Sequence, residues 1–274
     1  MTEAPRITSI HHAVEEADPA SLHAFLGLDR VRAAYAIGDL DPRFSPYSRW
    51  FAAREVGAAG HVTGLGLVYT GLRVPVLLTL GEADAVEAVL RSPTLAHALP
   101  RRFFASMALD HLPAFQALYN VESLRQMQRM ALDADAFVAP EEDLSEVVPV
   151  GHADTASLMA LYRHYPDHFF EPYQLEQGLY FGIRRGEQLV SVAGVHVVSE
   201  EWDVAAIGNV VTHPAHRSQG LSRRCTARLL QSLFERVSLV TLNVARENDA
   251  ARRVYLRLGF TDRFRYLEGP VQPR

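Results

Sequence analysis

The sequence predicts an α/β protein with a mixed sheet. Apolar segments of strand length alternate with amphipathic helical segments along the whole chain, which is the pattern of packed α/β layers. The chain has 274 residues, enough for two domains, and 48% of them are hydrophobic, as in globular proteins. One stretch, residues 208–259, contains two successive strand–helix units with clear boundaries.

The stretch 208–259 carries the strongest local signals. It opens with an apolar strand that a proline ends, and a short basic loop follows. A helix is predicted next, because apolar residues recur every four positions on one face. These residues are Leu221, Cys225, Leu229, Leu233 and Val237, with Leu230 and Phe234 beside them. A second strand over 238–244 and a second helix over 248–258 then lead to Gly259, a residue suited to a helix C-terminus.

The loop between the first strand and helix, residues 217–222, has the chemistry of an anion site. The first N–H groups of a helix lack intrahelical partners and carry partial positive charge, so they suit phosphate groups. Gly220 leaves room for a ligand at the backbone, and the loop's arginine adds a fixed cation. Residues 213–265 include eleven arginines and four acidic residues, which gives this stretch a net charge of +7, whereas the formal net charge of the whole chain is −5. For Arg224 and Arg228, solvated helix faces are an equal interpretation.

Two motifs in this stretch resemble those of the GNAT acyltransferases. The loop Arg217-Ser218-Gln219-Gly220-Leu221-Ser222 resembles the family's pyrophosphate-binding loop, Arg/Gln-x-x-Gly-x-Gly/Ala, and departs from it only at Ser222. Further on, Leu242-Asn243-Val244, Asn248, Ala251, Tyr255 and Leu258-Gly259-Phe260 resemble the family's Leu-x-Val, Asn-x-x-Ala-x-x-x-Tyr and Leu-Gly-Phe motifs. The residues before the loop resemble the branch that includes glycine N-acyltransferase. The resemblance covers roughly the last third of the chain and implies a site for acetyl-CoA.

The resemblance also implies which residues hold acetyl-CoA and which act on it. The binding residues are Val210, Val211, Thr212, Arg217, Ser218, Gln219, Gly220, Leu221, Ser222, Asn243, Asn248, Ala251 and Tyr255. Asn209 begins the strand segment whose backbone N–H groups are expected to stabilise the oxyanion. Tyr255 is the expected acid, because a phenol of pKa about 10 can protonate a leaving thiolate. It follows Asn248 by seven positions, so both should face the thiol end; a core tyrosine is the other interpretation.

A general base is harder to assign. The strand over 205–210 has no carboxylate that could take the proton of the amine directly. Two alternatives stay open: a base that acts through a water molecule, and an acceptor amine that is already neutral when it binds. His168 and Glu171 are further candidates. They lie in the aromatic segment 162–173, which the resemblance places on the acceptor side and which could equally be a loop that covers the core.

The N-terminal half also alternates helices and strands. Helices are predicted over 18–28, 31–40, 82–91 and 111–119, and strands over 50–54, 62–71, 74–80, 102–108 and, as an edge strand, 127–137. In the C-terminal half a helix is predicted over 153–164, a hairpin over 179–184 and 189–198, and a strand over 203–212.

The order of these elements resembles a degenerate GNAT domain, because the N-terminal half lacks the loop motif and the Asn…Tyr helix. The acidic segment 140–143 predicts a boundary between domain 1–140 and the acyl-CoA-binding domain 146–274. An unrelated α/β domain is the alternative for the first half.

Composition limits the classes of partner. A single cysteine, Cys225, excludes an intramolecular disulfide, and its place on the apolar stripe predicts a core residue. All 27 basic residues are arginine and the pI is about 6.2, which does not favour nucleic acid. No apolar run approaches the roughly 18 residues of a membrane span, and the N-terminus lacks a signal core. A cytoplasmic protein without a membrane partner is therefore predicted.

No metal is expected, since His213 and His216 flank a proline and have no third ligand near them in sequence.

The sequence thus predicts two tandem GNAT-like domains, with the second an acetyl-CoA-dependent N-acetyltransferase. The acetyl group would pass to a primary amine by direct attack in a ternary complex. A small amine, an amino acid and a protein N-terminus are all open as acceptors, and a homodimer is possible. The alternative function is a non-catalytic acyl-CoA-binding regulatory module, which the absence of an evident base would also explain.

Overall fold

The computed structural model describes residues 11–57, 60–166 and 168–274. Two compact units divide the chain. The first comprises the described residues up to Gln126 together with Arg265–Arg274, and the second comprises Met127–Phe264.

The first unit is a mixed sheet with five helices. Its elements are β1 (His11–Glu16), α1 (Pro19–Leu26), α2 (Arg30–Gly38), β2 (Ser48–Glu55), β3 (Val62–Tyr69), β4 (Val76–Gly81), α3 (Ala83–Leu90), α4 (Pro93–Ala98), β5 (Phe103–Ala108), α5 (Leu112–Leu118) and β6 (Tyr119–Val121). The strands β1 to β4 pair antiparallel in order, and β5 then lies parallel to β4. The core forms between the sheet and helices α3 and α5, because both helices bury one apolar face.

The second unit repeats this plan. Its elements are β7 (Arg125–Asp133), β8 (Val148–Pro149), α6 (Thr155–Tyr162), β9 (Phe181–Arg185), β10 (Gln188–Ser199), β11 (Val204–Thr212), α7 (Leu221–Leu233), β12 (Leu239–Ala245), α8 (Asp249–Arg257) and the start of β13 (Thr261–Pro273), most of which belongs to the first unit. Strands β8 to β11 pair antiparallel in order, β12 lies parallel to β11, and β7 pairs antiparallel with β12. The stripe that predicted α7 is buried from Leu221 to Leu233 and packs in the largest core cluster.

The last strand of each sheet is the unexpected feature of the fold. Tyr266–Val271 of β13 pair with β5 in the first unit, whereas β7 completes the sheet of the second. The compact units therefore divide the chain at other positions than the predicted domains 1–140 and 146–274. The physical reason is strand pairing: seven residues of β7 share a ladder with β12, which outweighs the acidic composition of 140–143 as a boundary signal.

One element prediction is wrong, elements such as α4, β6 and β13 carried no prediction, and the other predicted elements agree with the structure within a few residues. The strand near 127–137 is not an edge strand, because β12 lies on one side and the start of β13 on the other, where Thr261 Oγ1 donates to Ala131 O at 3.4 Å. The C-terminal residues after Phe260 carried no predicted element, yet they form the 13-residue strand β13. The mixed α/β fold and the tandem arrangement are confirmed. Among the described residues, no helix has the length and apolar character needed to cross a bilayer.

Candidate functional site

The candidate site lies where two parallel strands of the second unit stop pairing. The described ladder between β11 and β12 runs from Val204 with Leu239 to Ile207 with Leu242. Beyond these residues β11 continues to Thr212 against β10, and β12 continues to Ala245 against β7. The facing edges of β11 and β12 therefore diverge, and the half-buried backbone that follows Ile207 has no β12 partner in the described ladder.

A bulge at Asn209 shapes this open edge. The register between β10 and β11 shifts there, and Asn209 has a left-handed φ of 53°, a conformation that asparagine tolerates better than most residues. Gly208 precedes it because any Cβ would overlap the imidazole of His196 on β10. Burial lowers the pKa of His196 to about 4, so this half-buried ring is neutral at physiological pH and packs as an uncharged group.

A buried hydrogen-bond network holds the bulge. The side-chain amide of Asn209 donates to Gln174 Oε1 at 3.0 Å and to the Tyr180 hydroxyl at 2.9 Å. Tyr180 donates in turn to Gln174 Oε1 at 3.0 Å, and the N–H of Glu171 reaches the same oxygen at 3.2 Å. The side chain of the predicted catalytic residue Asn209 is therefore fully used in hydrogen bonds that hold the bulge. Any catalytic role of Asn209 at the open edge of β11 would have to involve its backbone. Sequence reasoning missed Gln174 and Tyr180.

The aromatic segment lies along the same strand. Tyr162 donates to Asn209 O at 2.8 Å, and the Tyr165 hydroxyl donates to Thr212 O. Tyr162 also stacks on Phe170 with ring centroids 5.0 Å apart. The structure therefore brings the predicted acceptor segment against β11, although Asp167 lies outside the described residues.

The loop after β11 opens towards the N-terminus of α7. Ser218 and Gly220 both have left-handed φ, 62° and 72°, and nothing lies within 4 Å of a Cβ built on Gly220. Gly220 is the N-cap of the 13-residue helix and provides no side chain to satisfy its first N–H groups. Backbone N–H groups turned inwards by alternating conformations form a concave anion site. Leu221 has its side chain in the core, so it can contribute only its backbone here.

The arginines around the loop separate into two groups. Arg223 pairs with Glu142, within the acidic segment 140–143, and Arg224 pairs with Glu146, at the start of the predicted second domain. Arg228 lies 5.1 Å from the centroid of Phe181 and bonds to a serine of its own helix. These three cations therefore have protein partners, and Arg224 and Arg228 are only partly exposed rather than on a fully solvated helix face.

Arg217 is placed differently from the helix arginines. It is exposed in the loop, and its guanidinium donates to the Tyr165 hydroxyl at 3.0 Å. The guanidinium carbon lies 5.7 Å from the Tyr165 ring centroid. One tyrosine thus joins the aromatic segment, the end of β11 and the cationic loop.

Two of the three residues predicted at helix α8, Asn248 and Tyr255, lie towards its opposite ends. Asn248 is the exposed N-cap, and its side chain accepts from the Ala251 N–H at 3.1 Å. Tyr255 is 7% exposed and meets Phe260 edge-to-face with centroids 5.8 Å apart. Burial raises the pKa of Tyr255 to about 12, so the phenol holds its proton throughout the physiological range.

The β12 residue of the predicted set, Asn243, has a partner on β7. Its side-chain oxygen accepts from the guanidinium of Arg129, which is buried and lies 5.4 Å from the centroid of Phe264. Sequence reasoning missed Arg129, since nothing local marks an arginine in a strand as buried. Val210 and Val211 pack on different core clusters, so both direct apolar side chains away from the open backbone edge.

Histidines near the site do not provide an obvious base. His168 Nδ1 accepts from the Phe170 N–H at 3.2 Å, and His213 Nδ1 accepts from the Ala215 N–H at 3.2 Å. In each neutral ring the other nitrogen therefore carries the proton. Desolvation, with smaller contributions from His164 and His216, lowers the pKa of His213, which favours that neutral form.

We expect the Gln174 network to contribute measurably to stability. Replacing Gln174, which is 2% exposed, by Met keeps the volume but removes the acceptor of one Asn209 amide N–H and of the Glu171 N–H, whereas Tyr180 can still donate to Val195 O. The free energy of unfolding should fall by about 1–3 kcal/mol, the cost of an unsatisfied buried group. Chemical denaturation measures it.

Gln177 provides the matched control for this substitution. Gln174 and Gln177 both belong to a short 3-10 helix, Pro172–Gln177, and neither polar atom of the buried Gln177 amide has a hydrogen-bond partner in the described structure. Gln177→Met should therefore be neutral or stabilising. Equal losses in the two variants would show that the network adds nothing to stability.

The second unit combines an antiparallel sheet with one parallel strand pair, β11 and β12, which a loop and helix α7 connect. The loop is open at the N-terminus of α7. This is the arrangement expected of the acyltransferase class that the sequence motifs resemble. Residues 114–260, more than half of the chain, match the acetyltransferase (GNAT) family. The chain belongs to this family.

Individual proteins agree with this assignment. The chain is 36% identical over 85 residues to the N-alpha-acetyltransferase RimI of Mycobacterium tuberculosis; the match spans 30% of this chain and 51%, about half, of that relative's length. Its fold is similar to a GCN5-related N-acetyltransferase from Kribbella flavida, with a TM-score of 0.61, 18% identity and coverage of 89% of this chain and 94% of that one. A tandem GNAT protein from the clavulanic acid biosynthesis pathway gives a TM-score of 0.58 at 15% identity, covering 96% and 98%. The finer resemblance to the glycine N-acyltransferase branch remains a prediction.

Proposed function

We propose that the second unit is an acetyl-CoA-dependent N-acetyltransferase that transfers an acetyl group to a primary amine. The observation that carries the proposal is the open N-terminus of α7 beside the unpaired edge of β11. An anion site next to a free strand edge suits a ligand with a pyrophosphate at one end and an extended amide chain behind it. The first unit, in which no such loop motif occurs, would be a degenerate copy without a donor site.

In the proposed complex the pyrophosphate contacts the backbone of residues 218–222 and the guanidinium of Arg217. The extended arm lies along Val210, Val211 and Thr212, whose backbone can pair with amide groups as a neighbouring strand would. Asn243, Asn248 and Ala251 line the opposite side from β12 and α8. These placements follow the residues predicted from the sequence.

The proposed chemistry needs three functions from the chain: positioning of the amine, stabilisation of the oxyanion and a proton for the thiolate. A backbone N–H at the Asn209 bulge would donate to the oxyanion, because the register shift leaves Asn209 outside the ladder with β10 and β12 offers no partner beyond Ile207. Tyr255 would protonate the sulfur. The amine would approach from the side of Tyr165, and since no base is evident it would arrive neutral or lose its proton through water.

The similarity to RimI, whose name describes an N-alpha-acetyltransferase, favours an α-amino group as the acceptor. A peptide N-terminus and a free amino acid both present this group. The expected location of such an enzyme is the cytoplasm, where acetyl-CoA is available.

Steady-state release of free CoA tests the function directly. With acetyl-CoA and a panel of peptide N-termini, amino acids and simple amines, we expect amine-dependent release that is much faster with at least one acceptor than in buffer. Tight binding of acetyl-CoA without turnover on any acceptor would instead support the alternative, a non-catalytic acyl-CoA-binding regulatory module. Absence of binding would contradict both.

A further inference from the structure

A cluster of possible metal ligands lies in the first unit, far in sequence from the acetyltransferase motifs. His11 on β1, Glu82 before α3 and Asp84 in the first turn of α3 have their ligand atoms within 4.8 Å of one another. His11 Nε2 lies 3.3 Å from Asp84 Oδ2. Acidic side chains at a helix N-terminus are common without any ligand, so the two carboxylates alone do not indicate a site.

The histidine provides the independent observation. Its side chain is only 3% exposed, and within the described part of the chain its Nε2 is a buried polar atom without a hydrogen-bond partner. A buried polar atom in this state is costly, and each such atom in a native protein calls for an explanation. Nε2 faces the two carboxylates, which are exposed and able to adjust their torsions.

The other nitrogen of His11, Nδ1, lies 3.2 Å from Thr63 Oγ1, whose hydroxyl also has an acceptor in Ala53 O at 3.3 Å. Thr63 can therefore accept a proton from Nδ1 while it donates to Ala53. In that tautomer the lone pair of Nε2 points at the carboxylate oxygens, and a cation between them makes the arrangement favourable. A metal-bound histidine that donates its second N–H to a protein oxygen has this same pattern.

The spacing fits a small divalent cation. Nitrogen and oxygen ligands lie about 2.0–2.2 Å from zinc, which places neighbouring ligands of a tetrahedral site about 3.4 Å apart. The 3.3 Å between His11 Nε2 and Asp84 Oδ2 matches this edge. One imidazole and two carboxylates would leave the fourth position for water. Such a site would link β1 to the start of α3.

We propose that His11, Glu82 and Asp84 bind a divalent transition-metal ion, with zinc as the preferred ion. The proposal is independent of the acetyltransferase function, because all its residues belong to the first unit. Binding would stabilise that unit by linkage and needs no role in catalysis.

Zinc titration of the full-length, untagged protein tests the proposal. We expect one Zn²⁺ per chain in competition with a chromophoric chelator, and the visible absorption of tetrahedral cobalt when Co²⁺ replaces zinc. His11→Ala and Asp84→Asn should each weaken zinc binding at least about tenfold and abolish the cobalt spectrum. Thermal unfolding with and without chelator provides a second measurement that does not depend on activity.

Two control variants make the result specific. His12→Ala removes the adjacent, exposed histidine of the same strand and should leave zinc affinity unchanged. His216→Ala alters the histidine group near the acetyltransferase site and should also leave it unchanged. Failure of the wild-type protein to bind stoichiometric zinc would overturn the proposal, and so would loss of binding in His216→Ala but not in His11→Ala. In that case the 3.3 Å contact between His11 and Asp84 would be a direct side-chain contact that holds no metal.

Discussion

Tyr255→Phe is expected to lower kcat by about 10² to 10⁴, the usual contribution of a general acid, with the acetyl-CoA dissociation constant nearly unchanged. The substitution removes only the hydroxyl. The ring keeps its edge-to-face contact with Phe260, so packing and folding should persist. The loss should shrink for acyl donors with more acidic thiols, because their thiolates need less help to leave. Steady-state kinetics combined with calorimetric binding measures both quantities.

The pH dependence gives a second test of the same residue. The pKa of Tyr255 is raised from the ordinary tyrosine value of 10.0 to about 12. The phenol therefore keeps its proton at every pH below about 12, including the range just above 10 where an ordinary tyrosine loses it. Its acid role should therefore be fully present at neutral pH and be lost only as pH rises towards 12. A kcat profile that falls near pH 10, and does so only when Tyr255 is present, would contradict this assignment.

Tyr119→Phe is the matched control for Tyr255→Phe. Tyr119 is also a buried tyrosine with a pKa raised by burial, and it meets Phe103 edge-to-face with centroids 5.4 Å apart. It belongs to the first unit, so kcat should be unaffected by the loss of its hydroxyl. Wild-type kcat in Tyr255→Phe would show that Tyr255 is only a core residue, the other interpretation of the sequence.

Gly220→Val should weaken acetyl-CoA binding on the order of 100-fold. A β-branched residue disfavours the left-handed φ of 72°, so the loop should lose the geometry that directs its N–H groups at a phosphate. Losing one hydrogen bond to a charged group costs about 1.5–3 kcal/mol, and a factor of 100 corresponds to about 2.7 kcal/mol. Isothermal titration calorimetry gives the affinity. The fold should survive, because a Cβ at this position meets nothing within 4 Å.

Gly186→Val separates backbone strain from ligand binding. Gly186 also has a left-handed φ, 59°, with nothing within 4 Å of an added Cβ, and it lies in the turn between β9 and β10. Both variants should lose a similar amount of stability, yet only Gly220→Val should lose affinity. Unchanged binding in Gly220→Val would mean that residues 217–222 are not the cofactor loop.

Local signals were sufficient for most of the fold. The four-residue apolar period of α7, the helix around Asn248 and the hairpin of β9 and β10 each depend on residues close in sequence, and each is present. The open backbone expected at Gly220 is also present, since nothing lies within 4 Å of a Cβ added there. The N-cap at Asn248 and the burial of Cys225 also depend on residues close in sequence, because capping and helical periodicity act within one or two turns of a helix.

The sequence alone therefore determined most of the helices and strands, the position of the loop at the N-terminus of α7 and the family. Only the tertiary structure decided which strands complete each sheet, since β7 and β13 find partners by pairing across long stretches of chain. It also decided that the Asn209 side chain belongs to a network with Gln174, 35 residues away, and that His11 meets Asp84. Hydrophobic period and capping are encoded locally, whereas strand partners and buried polar networks depend on contacts that sequence spacing does not reveal.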